Sequence, residues 1–183
     1  MKIYSLIVAV AEDNLVIGDG KKILWHLPTD MKSFAEITKK AGVIIIGRTS
    51  YETLPTKFRP LPDRVNIVVT RKPSWVPDRD DNVIVVHSLP EALAEAEKLP
   101  GEEICVIGGG EIYREALKHI VLDKMYITYV QGNFEGTTTL PKGIFTLLRR
   151  EYKITKEQKF RVDERHDYPF RIVHYEYTPV IID

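Results

Sequence analysis

One cysteine in 183 residues rules out an intramolecular disulfide, and Cys105 alone suits a reducing compartment. Nor is there an excess of either charge. Lys plus Arg and Asp plus Glu number 26 each, so the positive surplus that non-specific nucleic-acid binding requires is missing. The five histidines never fall at metal-ligand spacing with one another or with the cysteine, and no structural metal is expected. No apolar run approaches the roughly 18 residues of a membrane span. The run 3–11 after Lys2, ending Ala9-Val10-Ala11, has the outline of a signal peptide, but it is short and follows a single Lys, and a buried strand explains it as well. Repeats, low-complexity tracts and linkers are also lacking. One domain over 1–183, long enough for a full core, is the expectation.

What the chain does have is a series of short apolar runs rich in Val and Ile, at 3–10, 43–46, 65–69, 83–86 and 104–107. They are too continuous for half-exposed strands and read as strands of a parallel sheet covered on both faces. Helical patterns at 29–39, 48–54, 89–98 and 111–120 lie between them. This alternation predicts an α/β fold in three layers with a mainly parallel central sheet. After Ile120 the segments 124–130, 152–160 and 170–177 read as strands with no helix between them, the last two forming an antiparallel hairpin at the sheet edge. Three connections rich in Gly, Pro or charge, 12–24, 55–64 and 71–81, stand where α/β proteins usually place function.

The stretch Trp25-His26-Leu27-Pro28-Thr29-Asp30-Met31-Lys32-Ser33-Phe34 carries the first chemical signal. Thr29 is placed to cap a helix that Pro28 helps to start, which puts Asp30 in the first turn. At helical spacing Asp30 shares a face with Met31, Phe34, Ile37 and Thr38, a mostly apolar face predicted to point inward. Asp30 is then either a dipole partner at an exposed helix end or a desolvated acid at the mouth of an apolar pocket.

Three strand-to-helix or strand-to-loop junctions carry the second signal. Ile107-Gly108-Gly109-Gly110-Glu111-Ile112-Tyr113 lets backbone N–H groups approach a phosphate, yet it completes neither the Rossmann fingerprint nor a P-loop. A tight turn reads equally from the glycines. Gly47-Arg48-Thr49-Ser50 and Thr70-Arg71-Lys72 add fork-shaped and hydroxyl donors suited to phosphate, although Arg48 also reads as a solvated surface charge. Two basic ends beside a glycine-rich junction suggest a dinucleotide with an extra phosphate.

Together these pieces resemble the dihydrofolate reductase family. The matching residues are Trp25-His26-Leu27-Pro28-Thr29-Asp30 with Phe34; Ile46-Gly47-Arg48-Thr49; Arg59-Pro60-Leu61-Pro62-Asp63-Arg64 with Asn66; Val106-Ile107-Gly108-Gly109-Gly110-Glu111-Ile112-Tyr113; and Tyr126-Ile127-Thr128. They stand in the family's order, and the resemblance covers almost the whole chain from Ser5 to Tyr177. The resemblance implies NADPH-dependent reduction of 7,8-dihydrofolate by a cytoplasmic monomer with no membrane or nucleic-acid partner. It implies that Asp30 binds the pterin edge and helps to protonate N5, supported by Thr128 and a water held by Trp25. Ile7, Val8, Met31, Phe34, Leu54, Leu61 and Ile107 would wall the substrate, and Arg64 would take its glutamate carboxylate. Arg48, Thr49, Thr70 and Arg71 would hold the adenosine end, with Gly47 and Ser50 beside them. Gly108, Gly109 and Gly110 would lie under the pyrophosphate, with a cis Gly108–Gly109 peptide and Glu111 and Ile112 adjoining. Ala9, Ile17, Ile23 and Tyr113 would line the nicotinamide under a lid at 12–24.

Four features depart from the commonest bacterial pattern: a longer 54–64 segment, Leu24 where Pro is frequent, Ile23 where Met is frequent, and Thr137 where some relatives have Asp. A same-fold reductase of a riboflavin-pathway pyrimidine is the nearest competing reading, but it would not be expected to carry the 25–30 block. A non-catalytic nucleotide-binding module is the other, and Asp30 with Thr128 speaks against it.

Overall fold

The computed structural model describes residues 1–21 and 24–179. Its centre is a sheet of eight strands: β1 (Ile3–Ala11), β3 (Gly42–Gly47), β4 (Val65–Val69), β5 (Val83–Val86), β6 (Glu103–Gly108), β7 (Lys124–Val130), β9 (Tyr152–Phe160) and β10 (Phe170–Tyr177). The spatial order is β5-β4-β3-β6-β1-β7-β10-β9. Every pairing from β5 to β7 is parallel, and only β10 and β9 are laid on antiparallel. The mainly parallel sheet and the edge hairpin are therefore as the sequence pattern predicts.

Period-two alternation explains the layers, because successive side chains of a strand leave opposite faces. Leu6, Val8 and Val10 of β1, with Ile104 and Val106 of β6, pack against α3 (Leu89–Lys98), α4 (Gly110–His119) and α5 (Ile144–Glu151). Ile7, Ile44 and Cys105 face the other way, onto Ala41, Phe34 and Ile37 of α1 (Pro28–Ala41). Ile46 and Val68 meet Tyr51 of α2 (Arg48–Thr53) on that same side. No described helix is long and apolar enough to cross a membrane.

The sequence reading needs three corrections here. Helix α5 lies between β7 and β9, where only strands were expected; Ile144 and Leu148, one helical turn apart, are buried, and Arg149 and Arg150 sit favourably at its C-terminal dipole end. A second, two-stranded sheet pairs β2 (Val16–Gly18) with β8 (Thr138–Thr139) inside what the pattern left as loop. Thr29 does not cap α1: the cap position is Leu27, Pro28 is the first helical residue, and Leu27 makes no side-chain capping bond.

Candidate active site

The parallel strands all end at one edge, which brings together the turn after Ala11, the Gly47–Arg48 and Gly108–Gly110 junctions and the Thr70–Arg71 loop. That edge is where open α/β sheets bind ligands. Register sets the acid's partner. Ala9 of β1 lies beside Thr128 of β7, and Ile7 beside Tyr126, so Thr128 shares the α1-facing side of the sheet with Ile7 and Ala9.

From across the pocket Thr128, only 5% exposed, donates its hydroxyl to Asp30 Oδ1 at 2.5 Å. Burial pushes the Asp30 carboxyl above its ordinary value, and the bond from Thr128 offsets part of that. Asp30 is thus half-buried and partly desolvated, the placement that the second of the two readings requires. Below it lies an apolar cluster of Ile7, Leu61, Phe34, Leu54 and Ile107. Trp25 is buried in a separate cluster with Leu27 and Val130, its ring edge-on to Phe134 at 5.0 Å between centroids.

Two backbone acceptors converge at the same place, for the Tyr113 hydroxyl lies 2.7 Å from both Ile7 O and Ile107 O. One phenol proton satisfies one carbonyl at a time, leaving the other able to accept from a ligand N–H. A carboxyl, a free carbonyl and an apolar floor together suit a flat heterocycle bearing amino groups. The Cys105 thiol, fully buried and pushed up to about 12 by desolvation, has no part in such chemistry.

Not every expected wall residue turns inward. Val8 sends its side chain into the opposite core with Leu6 and Val10, as its odd step from Ile7 requires, so only its backbone can reach the pocket. Met31 is 51% exposed where the helical pattern predicted an inward face, since it sits at the rim. Arg64 is buried to 6% exposure, with Nε donating to Pro62 O at 2.8 Å and Nη1 to Thr38 Oγ1. Thr38 in turn donates to Phe34 O at 2.7 Å. The fork is thereby held in place with its remaining N–H groups still free to meet a carboxylate.

At the glycine junction, α4 begins after Gly109 and α2 after Gly47, and neither start has a side-chain cap, so both present backbone N–H groups. They are adjacent: a Cβ on Gly47 would stand 3.6 Å from Gly109 N. A Cβ on Gly109 would fall 2.4 Å from Ser50 Oγ, and one on Gly110 2.4 Å from Thr138 Cγ2, so the cradle exists because side chains are absent. The Gly108–Gly109 peptide is cis, as the resemblance implies. Such a double helix start, with Arg48 half-buried beside it, fits a pyrophosphate.

The arginines carry acidic partners of their own. Arg48 Nη1 bonds Glu52 Oε2 at 2.6 Å, and Arg71 pairs with Glu111, which draws it to the start of α4. Thr70 is buried, and its hydroxyl accepts from the Lys72 N–H at 3.1 Å, shaping the turn that presents Arg71. Thr49 is exposed on the first turn of α2. Ile112 and Tyr113 have core side chains, leaving Ile112 only its N–H for the cradle, while Ile17 Cδ1 comes within 3.7 Å of the Gly110 Cβ position. Ile23 lies outside the described residues.

Three contributors escape the sequence reading. Glu12, at the root of the lid, is held by Arg171 at 3.0 Å, and Asn14 Nδ2 donates to Phe134 O at 2.7 Å. Thr38, which seats Arg64, was read only as part of an apolar face. These are contacts between residues 26 to 159 positions apart, and local pattern carries no signal for them.

The family model described as dihydrofolate reductase matches residues 3–177. The chain is 40% identical over 139 residues to dihydrofolate reductase type 3 of Salmonella typhimurium, covering 76% of this chain and 78% of that one. It is 37% identical over 159 residues to a bifunctional dihydrofolate reductase-thymidylate synthase of Glycine max, covering 81% of this chain but 30% of that protein. The chain thus spans less than a third of the bifunctional relatives it matches. Among solved structures, a dihydrofolate reductase from Enterococcus faecalis complexed with NADP(H) and RAB-propyl superposes with a TM-score of 0.81 at 30% identity, covering 97% of each chain. The match over almost the whole chain, joined to a half-buried acid and a glycine cradle at one sheet edge, makes the chain a member of the dihydrofolate reductase family.

Proposed function

We propose that this chain reduces 7,8-dihydrofolate to 5,6,7,8-tetrahydrofolate with NADPH. The observation that carries the reading is the half-buried Asp30 carboxyl, hydrogen-bonded to Thr128 and set against an otherwise apolar floor. Bound NADPH would supply the hydride that goes to C6. The chain's own residues do the rest. Asp30 accepts from the amino-pyrimidine edge and, by virtue of its raised pKa, keeps a proton available for N5. Thr128 orients the carboxyl, Trp25 would hold a supporting water, and Ile7, Phe34, Leu54, Leu61, Met31 and Ile107 hold the ring and benzoyl group. Arg64 takes the tail carboxylate. The cradle residues Gly47, Ser50, Gly108, Gly109, Gly110, Glu111 and Ile112 receive the pyrophosphate, and Ala9, Ile17 and Tyr113 flank the nicotinamide. The same proposal has one domain acting as a monomer in the cytoplasm, with no membrane or nucleic-acid partner.

The direct test is dihydrofolate-dependent oxidation of NADPH with tetrahydrofolate identified by mass spectrometry. Clean protein that binds NADPH without turnover would sink the reading. Cofactor choice offers another test. Arg48 and Arg71 sit at the two basic junctions, and a charge-assisted bond to a 2′-phosphate is worth about 1.5 kcal/mol or more. Removing both arginines is expected to narrow the preference for NADPH over NADH by about tenfold or more. Equal use of both cofactors by the unmodified chain would show that the arginines serve Glu52 and Glu111 alone.

The lid gives a smaller effect. Thr137 Oγ1 lies 3.9 Å from where a Gly20 Cβ would stand, so residue 137 borders the 12–24 segment. An ionised Asp there would accept lid N–H groups more strongly than a hydroxyl does. Thr137→Asp is expected to raise the closed fraction and alter single-turnover transfer or product release a few-fold with folding unchanged. Unchanged rates would mean that the lid is held by its other ties, Glu12 to Arg171 and Asn14 to Phe134.

A further inference from the structure

The first turn of α1 is held by a residue from the far end of the chain. Leu27 offers no capping oxygen, yet the Thr29 N–H, one of the orphan donors of that helix start, is not left open: it donates to His166 Nε2 at 3.2 Å. His166 lies in the loop between β9 and β10 and is 2% exposed. Its other ring nitrogen is 2.8 Å from Asp163 Oδ1, and the same oxygen accepts the backbone N–H groups of Arg165 and His166, each at 2.9 Å. Those bonds hold the Asp163 carboxyl below its ordinary range, the Arg165 N–H first and the imidazole second.

The proton count on the ring follows from its partners. Thr29 N–H can only donate, so Nε2 must be the bare nitrogen. Asp163 can only accept when ionised, so the proton is on Nδ1. The groups facing the ring are Asp163 from its own loop, the Thr29 N–H from α1 with Asp30 one residue further on, and the apolar Phe170 ring of β10 at 5.2 Å between centroids.

We infer that His166, in its neutral Nδ1–H form, is the missing cap of α1 and the positioning residue that sets Asp30 against Thr128. The inference rests on the reductase reading for its kinetic consequence but not for its structural one. Asp30 follows Thr29 directly, so the anchored N–H fixes the backbone that carries the carboxyl. The Thr128 hydroxyl sits on the rigid sheet, and the 2.5 Å bond between them survives only if the helix start stays where it is.

The test compares two variants with the unmodified chain. His166→Phe keeps a flat ring and removes the acceptor, whereas His166→Gln can still place an oxygen near Thr29 N–H. His166→Phe is expected to slow single-turnover chemistry about tenfold or more, with NADPH affinity unchanged and the pH dependence of the step displaced, because a misplaced reacting group costs rate and not cofactor binding. His166→Gln should recover most of the rate and the pH profile. Equal losses in both variants, or an unchanged rate and profile in His166→Phe, would overturn the inference. A second readout needs neither variant nor turnover. Long-range nitrogen–proton NMR correlation of the unmodified protein at neutral pH is expected to show the Nδ1–H tautomer, and an Nε2–H or doubly protonated ring would overturn it. Absence of reductase activity with the Nδ1–H tautomer present would count against the proposed reaction and leave the cap standing.

Discussion

Asp30→Asn is expected to lower the chemical step roughly 10²–10⁴-fold at neutral pH, the range over which a positioned proton donor usually contributes. The asparagine oxygen can still accept from Thr128, so the pocket keeps its geometry and loses only the ability to hold and release a proton. NADPH affinity should be unchanged, since the acid lies on the α1 side and the cradle at the starts of α2 and α4. In the unmodified chain burial raises the Asp30 pKa, so the protonated fraction falls as pH rises through that raised value. The chemical step should slow in the same direction, and the Asn variant should lose that dependence. Stability falls with rising pH as the rate does, but responds to the substitution with the opposite sign. A carboxyl whose folded pKa is raised binds its proton more tightly in the native state, so its ionisation destabilises the fold as pH rises through the folded value. The Asn variant, which carries no charge there, is expected to melt above the parent at neutral pH, with the gap closing on acidification towards the unfolded value. Loss of rate with a gain in melting temperature separates a catalytic acid from a structural one. Near-parental turnover in Asp30→Asn would return the residue to a dipole partner.

How far such a site is legible in the sequence depends on the range of the interactions that make it. The Val- and Ile-rich runs fixed the parallel strands because burial on both faces leaves a local trace, and β4 and β5 fall at the expected residues. Asp30 and the glycine junction were equally visible, being short local patterns. Helix α5 was passed over, although Ile144, Phe145, Leu147 and Leu148 are spaced as one helical face, because the strand-like segments around it set the expectation. Val8 was assigned to the pocket against the alternation that sends it to the other face, a case where the residue order alone already argued otherwise. What local sequence could not carry is the pairing of distant parts: Arg64 with Thr38, Arg171 with Glu12, and His166 with the first turn of α1. Asp163 and His166 stand three apart in the turn between β9 and β10, and nothing in that loop names the helix it supports.

A methyl group added at Gly110 is expected to weaken NADPH binding substantially while leaving the fold intact. Gly110 opens α4, and a Cβ there would stand 2.4 Å from Thr138 Cγ2, with Ile17 Cδ1 and Arg114 Nη2 at 3.7 Å. Only the first of these is a collision. Thr138 is β-branched and stiff about χ1, and it sits in β8, whose partner is Gly18 of β2 in the lid segment. Relief therefore requires β8 and the lid strand to retreat from the helix start, or the first turn of α4 to shift away from the cradle. Overpacking of this kind costs about 1–3 kcal/mol, which read on the cofactor is roughly a 5- to 150-fold loss of affinity. Alanine favours the helix over glycine, which offsets part of the overpacking cost, so the melting temperature should fall by no more than a few degrees. The second-site control is Thr138→Ser, which removes the colliding methyl and frees the remaining hydroxyl to rotate. Gly110→Ala with Thr138→Ser should bind NADPH much closer to the parent than Gly110→Ala alone, and Thr138→Ser alone should be nearly silent. The non-additivity of that cycle measures the contact between cradle and lid strand. If Gly110→Ala binds NADPH as the parent does, or if Thr138→Ser restores nothing, the closeness of β8 to the helix start is not what shapes the pyrophosphate site.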